Sequence, residues 1–205
     1  MRMTASVGAI LAALALHPPA ANAADDPVAR GARIAADLCA ECHGRDGRGK
    51  SAEYPSLAGQ HAEYIVKQVF NFKTGQRRNE EMEPVLEKLL AADIRAVAAY
   101  LSTLAPGSFP VADEALRAEG RTVFLRGNPA RGIAPCSACH GEDGRGGATM
   151  PRLAGQNPTY LRKQMNLFIE QVRTNDQMAH VMHGSMAKMT DREVRAAAAF
   201  LSSLK

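Results

Sequence analysis

Two pentapeptides hold the residues most able to do chemistry in this chain. Residues 39–43 read CAECH and residues 136–140 read CSACH, and the sequence's 4 cysteines, Cys39, Cys42, Cys136 and Cys139, all fall inside them. A Cys-x-x-Cys pair serves three chemistries: part of a zinc site, a redox disulfide, or thioether attachment of a haem. A structural zinc needs four ligands, so both pairs would have to share one ion, and the histidine after each pair would have no role. A redox pair needs no adjacent histidine and usually comes with a βαβ pattern that this sequence lacks. Haem explains every position. Two thiols span the two vinyl groups, and the next residue aims its imidazole at the iron. The residues thus predict two covalent haem c groups, one on Cys39 and Cys42, the other on Cys136 and Cys139. His43 and His140 are the axial ligands.

The opposite face of each iron decides its use. An open face binds small molecules, whereas a methionine there raises the potential and suits electron transfer. The ligand must follow the motif and recur in both halves. Met82 stands alone in the polar segment RRNEEMEPV, while NDQMAHVMHGSMAKM offers Met178, Met182, Met186 and Met189, with His180 and His183 among them. Met82 lies 18 residues before Tyr100, and Met182 lies 18 before Phe200. That register selects Met82 and Met182, with Met178 and then His183 as alternatives in the second half. The remaining methionines are read as packing around the haem. His61 is matched by Asn157 and is read as an exposed helix-start residue. Pro55 and Pro151 could offer carbonyls to the second ring nitrogen of each histidine, or could only shape their loops. Arg77 and Arg173 either meet haem propionates or stand as solvated helix-end charges.

The elements that position these residues are written twice. PSLAGQ (55–60) returns as PRLAGQ (151–156), YIVKQ (64–68) as YLRKQ (160–164), and AAYLSTL (98–104) as AAFLSSL (198–204). Each half runs in the same order. A lead-in helix spans 27–38 or 112–126. The motif and a Gly-rich loop follow, GRDGRGK or GEDGRGG. A second helix lies near 60–74 or 157–173, then a polar segment with methionine, then a closing helix from about 91–93 or 190–193. Tyr64, Gln68 and Phe72, like Tyr160, Gln164 and Phe168, share one helical face. Val97, Tyr100, Leu101 and Leu104 make an apolar stripe that Val194, Ala197, Leu201 and Leu204 repeat. Thr190 and Glu193 form a capping-box pattern. β-branched alternation is scarce, so both halves are expected to be all-α. APGSFPV (105–111) reads as a short, stiff linker between modules 24–104 and 112–205, and RGNPARGIAP (126–135) as an added loop.

The first 23 residues read as a secretory leader: Arg2, an apolar run from Ser6 to Leu16, and a small-x-small site at Ala21-Asn22-Ala23. Cleavage after Ala23 and a periplasmic protein are expected. The run is too short to span a bilayer, and no later segment is long and apolar enough to do so. Peripheral membrane association stays open. The chain is 46% hydrophobic with a net charge of +4, or +3 after Arg2 leaves. The charges are interspersed, with no basic-aromatic pattern, so nucleic-acid binding has no support. Modules of this size gain from a rigid apolar cofactor at the centre.

The repeated blocks, from CAECHG through AAYLSTL and from CSACHG through AAFLSSL, resemble the cytochrome c4 family over essentially the whole mature chain. The resemblance implies two tandem class I cytochrome c domains packed face to face, each wrapped around one covalent haem. It implies His/Met iron, with the methionines falling on Met82 and Met182. It further implies an electron carrier without catalysis of its own, with redox-protein partners such as a terminal oxidase or an upstream quinol-oxidising complex. An electron-accepting subunit of a periplasmic oxidoreductase, such as a flavocytochrome sulfide dehydrogenase, is the alternative.

Overall fold

The computed structural model describes residues 26–175 and 178–205. The leader assigned to residues 1–23 lies outside them. The described residues form helices, with a single isolated bridge between Asn128 and Ile133 as the only β-type pairing among them.

The first module opens with α1 (Pro27–Ile34). Asp26 starts it by accepting from the Val28 amide at 3.1 Å, and Pro27 stands where no amide is needed. The chain then widens into a π-helical turn (Ala35–Cys39) and tightens into α2 (Ala40–His43). Such a turn re-aims side chains and often lies beside functional groups. After the Gly-rich loop come α3 (Ala62–Lys73), α4 (Glu83–Glu87) and α5 (Ala91–Thr103). The second module repeats this order with α6 (Glu114–Arg126), α7 (Ser137–His140), α8 (Pro158–Ile169), α9 (Ala179–Met186) and α10 (Asp191–Ser203). The expected lead-in, second and closing helices are all present. The methionine segments, read from sequence only as polar stretches, fold into the short helices α4 and α9.

In each module the lead-in helix crosses the closing helix at a glycine. A Cβ on Gly31 would overlap the Ala96 carbonyl, and one on Gly120 would overlap the Ala196 carbonyl. Only hydrogen fits between the backbones. Tyr100 and Phe200 pack beside these crossings, and Phe200 also meets Phe124 with ring centroids 5.7 Å apart. The cores follow from the predicted stripes. Ile65, Val97, Ala98 and Leu101 are buried in the first module, and Phe124, Leu161, Val194, Ala197 and Leu201 in the second.

The second helix of the repeat ends at Ile169, short of the expected 173. Gln171 explains the early stop, since it turns left-handed with φ 57° where the first module has Gly75 at φ 71°. Both reverse the chain, but only glycine does so without crowding its own Cβ. The added loop folds as a 3₁₀ turn (Pro129–Arg131) that buries Ile133 and aims Arg131 at Glu193, 2.7 Å away. Glu193 completes the capping box on Thr190: its Oε2 accepts from the Thr190 amide at 2.7 Å, and the Thr190 hydroxyl accepts from the Glu193 amide at 3.2 Å.

Candidate haem sites and the seam between them

Each motif histidine closes a short helix, α2 or α7, and points inward. His43 is 5% exposed and His140 4%. The His43 Nδ1–H donates to the Pro55 carbonyl at 3.0 Å, and the His140 Nδ1–H to the Pro151 carbonyl at 3.3 Å. The tautomer follows from the partner, since a carbonyl can only accept. Each Nε2 therefore carries its lone pair, and each is buried with no hydrogen-bond partner. A buried acceptor without a partner is costly unless something else takes its lone pair. Burial lowers the basicity of both rings, with the proline carbonyl partly offsetting it, so both are held neutral as metal ligation requires.

The cysteines stand beside these rings. Burial pushes the Cys39 thiol up to about 11, and burial raises Cys136 as well, helped by nearby Cys139. Cys39 and His43 line a cleft with Ala35, Gly44, Tyr100 and Leu101. The Tyr54 ring stands edge-on to His43 with centroids 6.1 Å apart. Among the described residues no three His, Cys, Asp or Glu side chains cluster as a metal site. Two thiols, an inward imidazole and a lone pair awaiting a partner fit a haem in each module.

Met82 caps the start of α4 and is half-buried against the cluster of Leu86, Leu89 and Ile94. Met182 is half-buried in α9 against the second core. Buried Leu86 and Met186 follow Met82 and Met182 by the same four residues, so the two methionines stand in the same register to the buried side of α4 and α9. The extra length of α9 lies at its start, where Met178 is the capping residue. His183 gives its Nδ1–H to the Phe168 carbonyl at 3.1 Å, and His180 is exposed. The end of α4 is held by Lys73, whose Nζ donates to the Leu86 carbonyl at 2.7 Å and to the Leu89 carbonyl at 3.0 Å. The second module has Ile169 at the matching position.

Arg77 and Arg173 are not solvated helix-end charges. Arg77 lies over its own Phe72 ring and donates to its own Gln68 at 2.8 Å. It then crosses the seam to the Tyr160 hydroxyl at 3.0 Å and the Gln164 side-chain Oε1 at 2.9 Å. Arg173 mirrors it over Phe168, reaching its own Gln164 at 2.8 Å, Tyr64 at 2.9 Å and Gln68 at 3.3 Å. Burial alone would raise the Tyr160 hydroxyl, but the two guanidiniums outweigh it and hold its pKa down. His61 starts α3 as expected, and its Nε2–H also crosses the seam to the Arg145 carbonyl at 2.7 Å. Spacing placed the tyrosines and glutamines on one face. That this face meets its own copy was not visible in it.

The family model for Cytochrome c matches residues 28–105 and 118–205. Cytochrome c4 of Thiocapsa roseopersicina is 37% identical over 191 residues, covering 92% of this chain and 97% of that protein. The thiosulfate dehydrogenase electron acceptor of Stutzerimonas stutzeri strain A1501 is 38% identical over 204 residues, covering 98% and 93%. The crystal structure of reduced recombinant cytochrome c4 from Pseudomonas stutzeri superposes with a TM-score of 0.80 at 32% identity, covering 87% of this chain and 98% of that one. The chain belongs to the cytochrome c4 family: two tandem cytochrome c domains, all-α, with two covalent haem c groups. It is an electron-transfer cytochrome.

Proposed function

We propose that this chain is an exported carrier that takes electrons from a periplasmic donor and delivers them to a terminal oxidase or comparable acceptor, with no reaction of its own. The haems supply one-electron couples when bound. Cys39 and Cys42 would hold the first by thioethers, and Cys136 and Cys139 the second. His43 and His140 would bind the two irons, each oriented through Nδ1 by a proline carbonyl. Met82 and Met182 would close the opposite faces, excluding small ligands and raising the potentials. The observation that carries this reading is the pair of buried, unpartnered Nε2 atoms in matching modules. No helix among the described residues is long and apolar enough to cross a membrane, which fits a carrier released by leader cleavage after Ala23.

A second reading has support from the relatives. One relative is named a thiosulfate dehydrogenase electron acceptor and matches 98% of this chain. An oxidoreductase acting on a reduced sulfur anion is therefore a candidate donor, and the chain would be its electron-accepting partner. Size-exclusion of the native extract separates the two readings: co-elution with a dehydrogenase supports the second, a free dihaem protein the first. Ligation is tested by redox titration with near-infrared detection. Met82→Ala should remove the methionine–Fe(III) charge-transfer band of one haem and lower its potential, and Met182→Ala those of the other. An unchanged band rejects that methionine, and rapid carbon monoxide binding by the native protein rejects both.

A further inference from the structure

The glutamines that end PSLAGQ and PRLAGQ reach into each other's modules. Gln156 reaches into the first module, where its Oε1 accepts from the Ser56 amide at 2.7 Å and its Nε2 donates to the Ser56 carbonyl at 2.8 Å. Gln60 reaches into the second, where its Oε1 accepts from the Arg152 amide at 2.9 Å and its Nε2 donates to the Arg152 carbonyl at 3.0 Å. Both glutamines are buried, and each Oε1 is further fixed by the next amide in its own chain, Asn157 at 2.8 Å or His61 at 3.0 Å.

The residues they grip matter because of the peptide group involved. The amide of Ser56 belongs to the same peptide unit as the Pro55 carbonyl, the acceptor of the His43 ring N–H. The amide of Arg152 shares its unit with the Pro151 carbonyl, which accepts from His140. Each module thus contains an unbroken relay: imidazole N–H to proline carbonyl, through one peptide bond, then amide N–H to a glutamine from the other module. A peptide whose N–H is engaged has a more polarised carbonyl, and hydrogen bonds in such chains strengthen one another. A stronger acceptor at Nδ1 makes the imidazole a more electron-rich ligand and fixes its ring plane.

We propose that Gln156 and Gln60 are crossed positioning residues: each tunes the histidine of the opposite module, so that docking of the modules sets the potential of both haems. The proposal rests on His43 and His140 being the iron ligands. An electron-rich ligand favours the oxidised iron, so losing a glutamine should raise the potential on the far side of the seam.

The test uses the full-length dihaem protein. Hyperfine-shifted NMR signals are followed through a redox titration and assigned to modules by cross-relaxation with the His43 and His140 rings. Gln156→Ala should move the redox equilibrium of the first-module haem toward the reduced form by about threefold, about 28 mV at 59 mV per decade for one electron. It should also speed solvent exchange of the His43 ring N–H, leaving the second haem in place. Gln60→Ala should do the reverse. General loosening of the seam moves both haems together or neither. A shift in the mutated residue's own module, equal shifts in both, or unchanged potentials and exchange rates overturns the relay. If alanine prevents folding, Gln156→Asn keeps an amide in the seam but withdraws it from Ser56, and the same outcomes apply. Absence of any hyperfine-shifted histidine ring in the native protein overturns the ligand assignment itself and the relay with it. Shifted histidine signals that ignore the glutamines overturn only the relay.

Discussion

Arg77 of the first module donates to the hydroxyl of Tyr160 in the second at 3.0 Å, and also to the neutral side-chain oxygens of Gln68 and Gln164. Charged hydrogen bonds of this kind contribute more than neutral ones, less where water reaches them. A double-mutant cycle of Arg77→Leu with Tyr160→Phe should give a coupling energy of about 1 kcal/mol in thermal unfolding. Arg77→Lys should not restore it, because an ammonium cannot span three acceptors as a guanidinium does. Additive effects of the two single changes would remove this contact from the energetics of docking.

The glycine crossings predict module-specific damage. Gly31→Ala places a methyl group into the Ala96 carbonyl, and Gly120→Ala places one into the Ala196 carbonyl. Neither obstacle is a side chain that can swing aside, so α1 and α5, or α6 and α10, must separate. Overpacking of this kind costs about 3 kcal/mol. Calorimetry should show the loss centred on the first module for Gly31→Ala and on the second for Gly120→Ala. A change below about 0.5 kcal/mol would mean that the helices part freely.

Gln171 predicts a gain. It is the only non-glycine residue with positive φ among the described residues, and its counterpart Gly75 shows which residue that turn favours. Gln171→Gly should stabilise the protein by about 0.5–1 kcal/mol, raising the unfolding midpoint, since left-handed strain outweighs the added chain entropy. A lower midpoint would show that the Gln171 side chain holds the turn.

Glu193 predicts an acid limb. Burial pushes its carboxyl up, but the Thr190 amide and hydroxyl and the Arg131 guanidinium outweigh burial and hold it below its ordinary 4.5. A depressed carboxylate contributes stability at pH values above 4.5 and loses it as pH falls through the folded value. Denaturant midpoints of the native protein should therefore fall as the medium becomes more acidic than that. Glu193→Gln should be less stable at neutral pH and flatter on the acid side. Parallel curves for the two proteins would contradict this linkage.

What was legible in the chain was local. The CxxCH motifs, the repeat and the Thr190–Glu193 cap are patterns within a few residues, and covalent geometry or one helical turn links their parts. The partners of Arg77, Arg173, Gln60 and Gln156 across the seam lie 83 to 109 residues away. No periodicity reports such pairs, although the unusual polarity of a face bearing Tyr64, Gln68, Tyr160 and Gln164 was a signal that it meets something other than an apolar core. The helices α4 and α9 escaped notice because they span 5 and 8 residues, too few for a clear apolar stripe.

Lys73 has a consequence for how such a duplicated chain diverges. Its ammonium grips the end of the helix that begins after Met82, while Ile169 in the sister copy offers no such hold. One substitution or acylation at that amine would unfasten a single methionine arm and leave its twin untouched. Selection thus has a handle on each half separately, and gene doubling here yields two adjustable devices from one inherited plan.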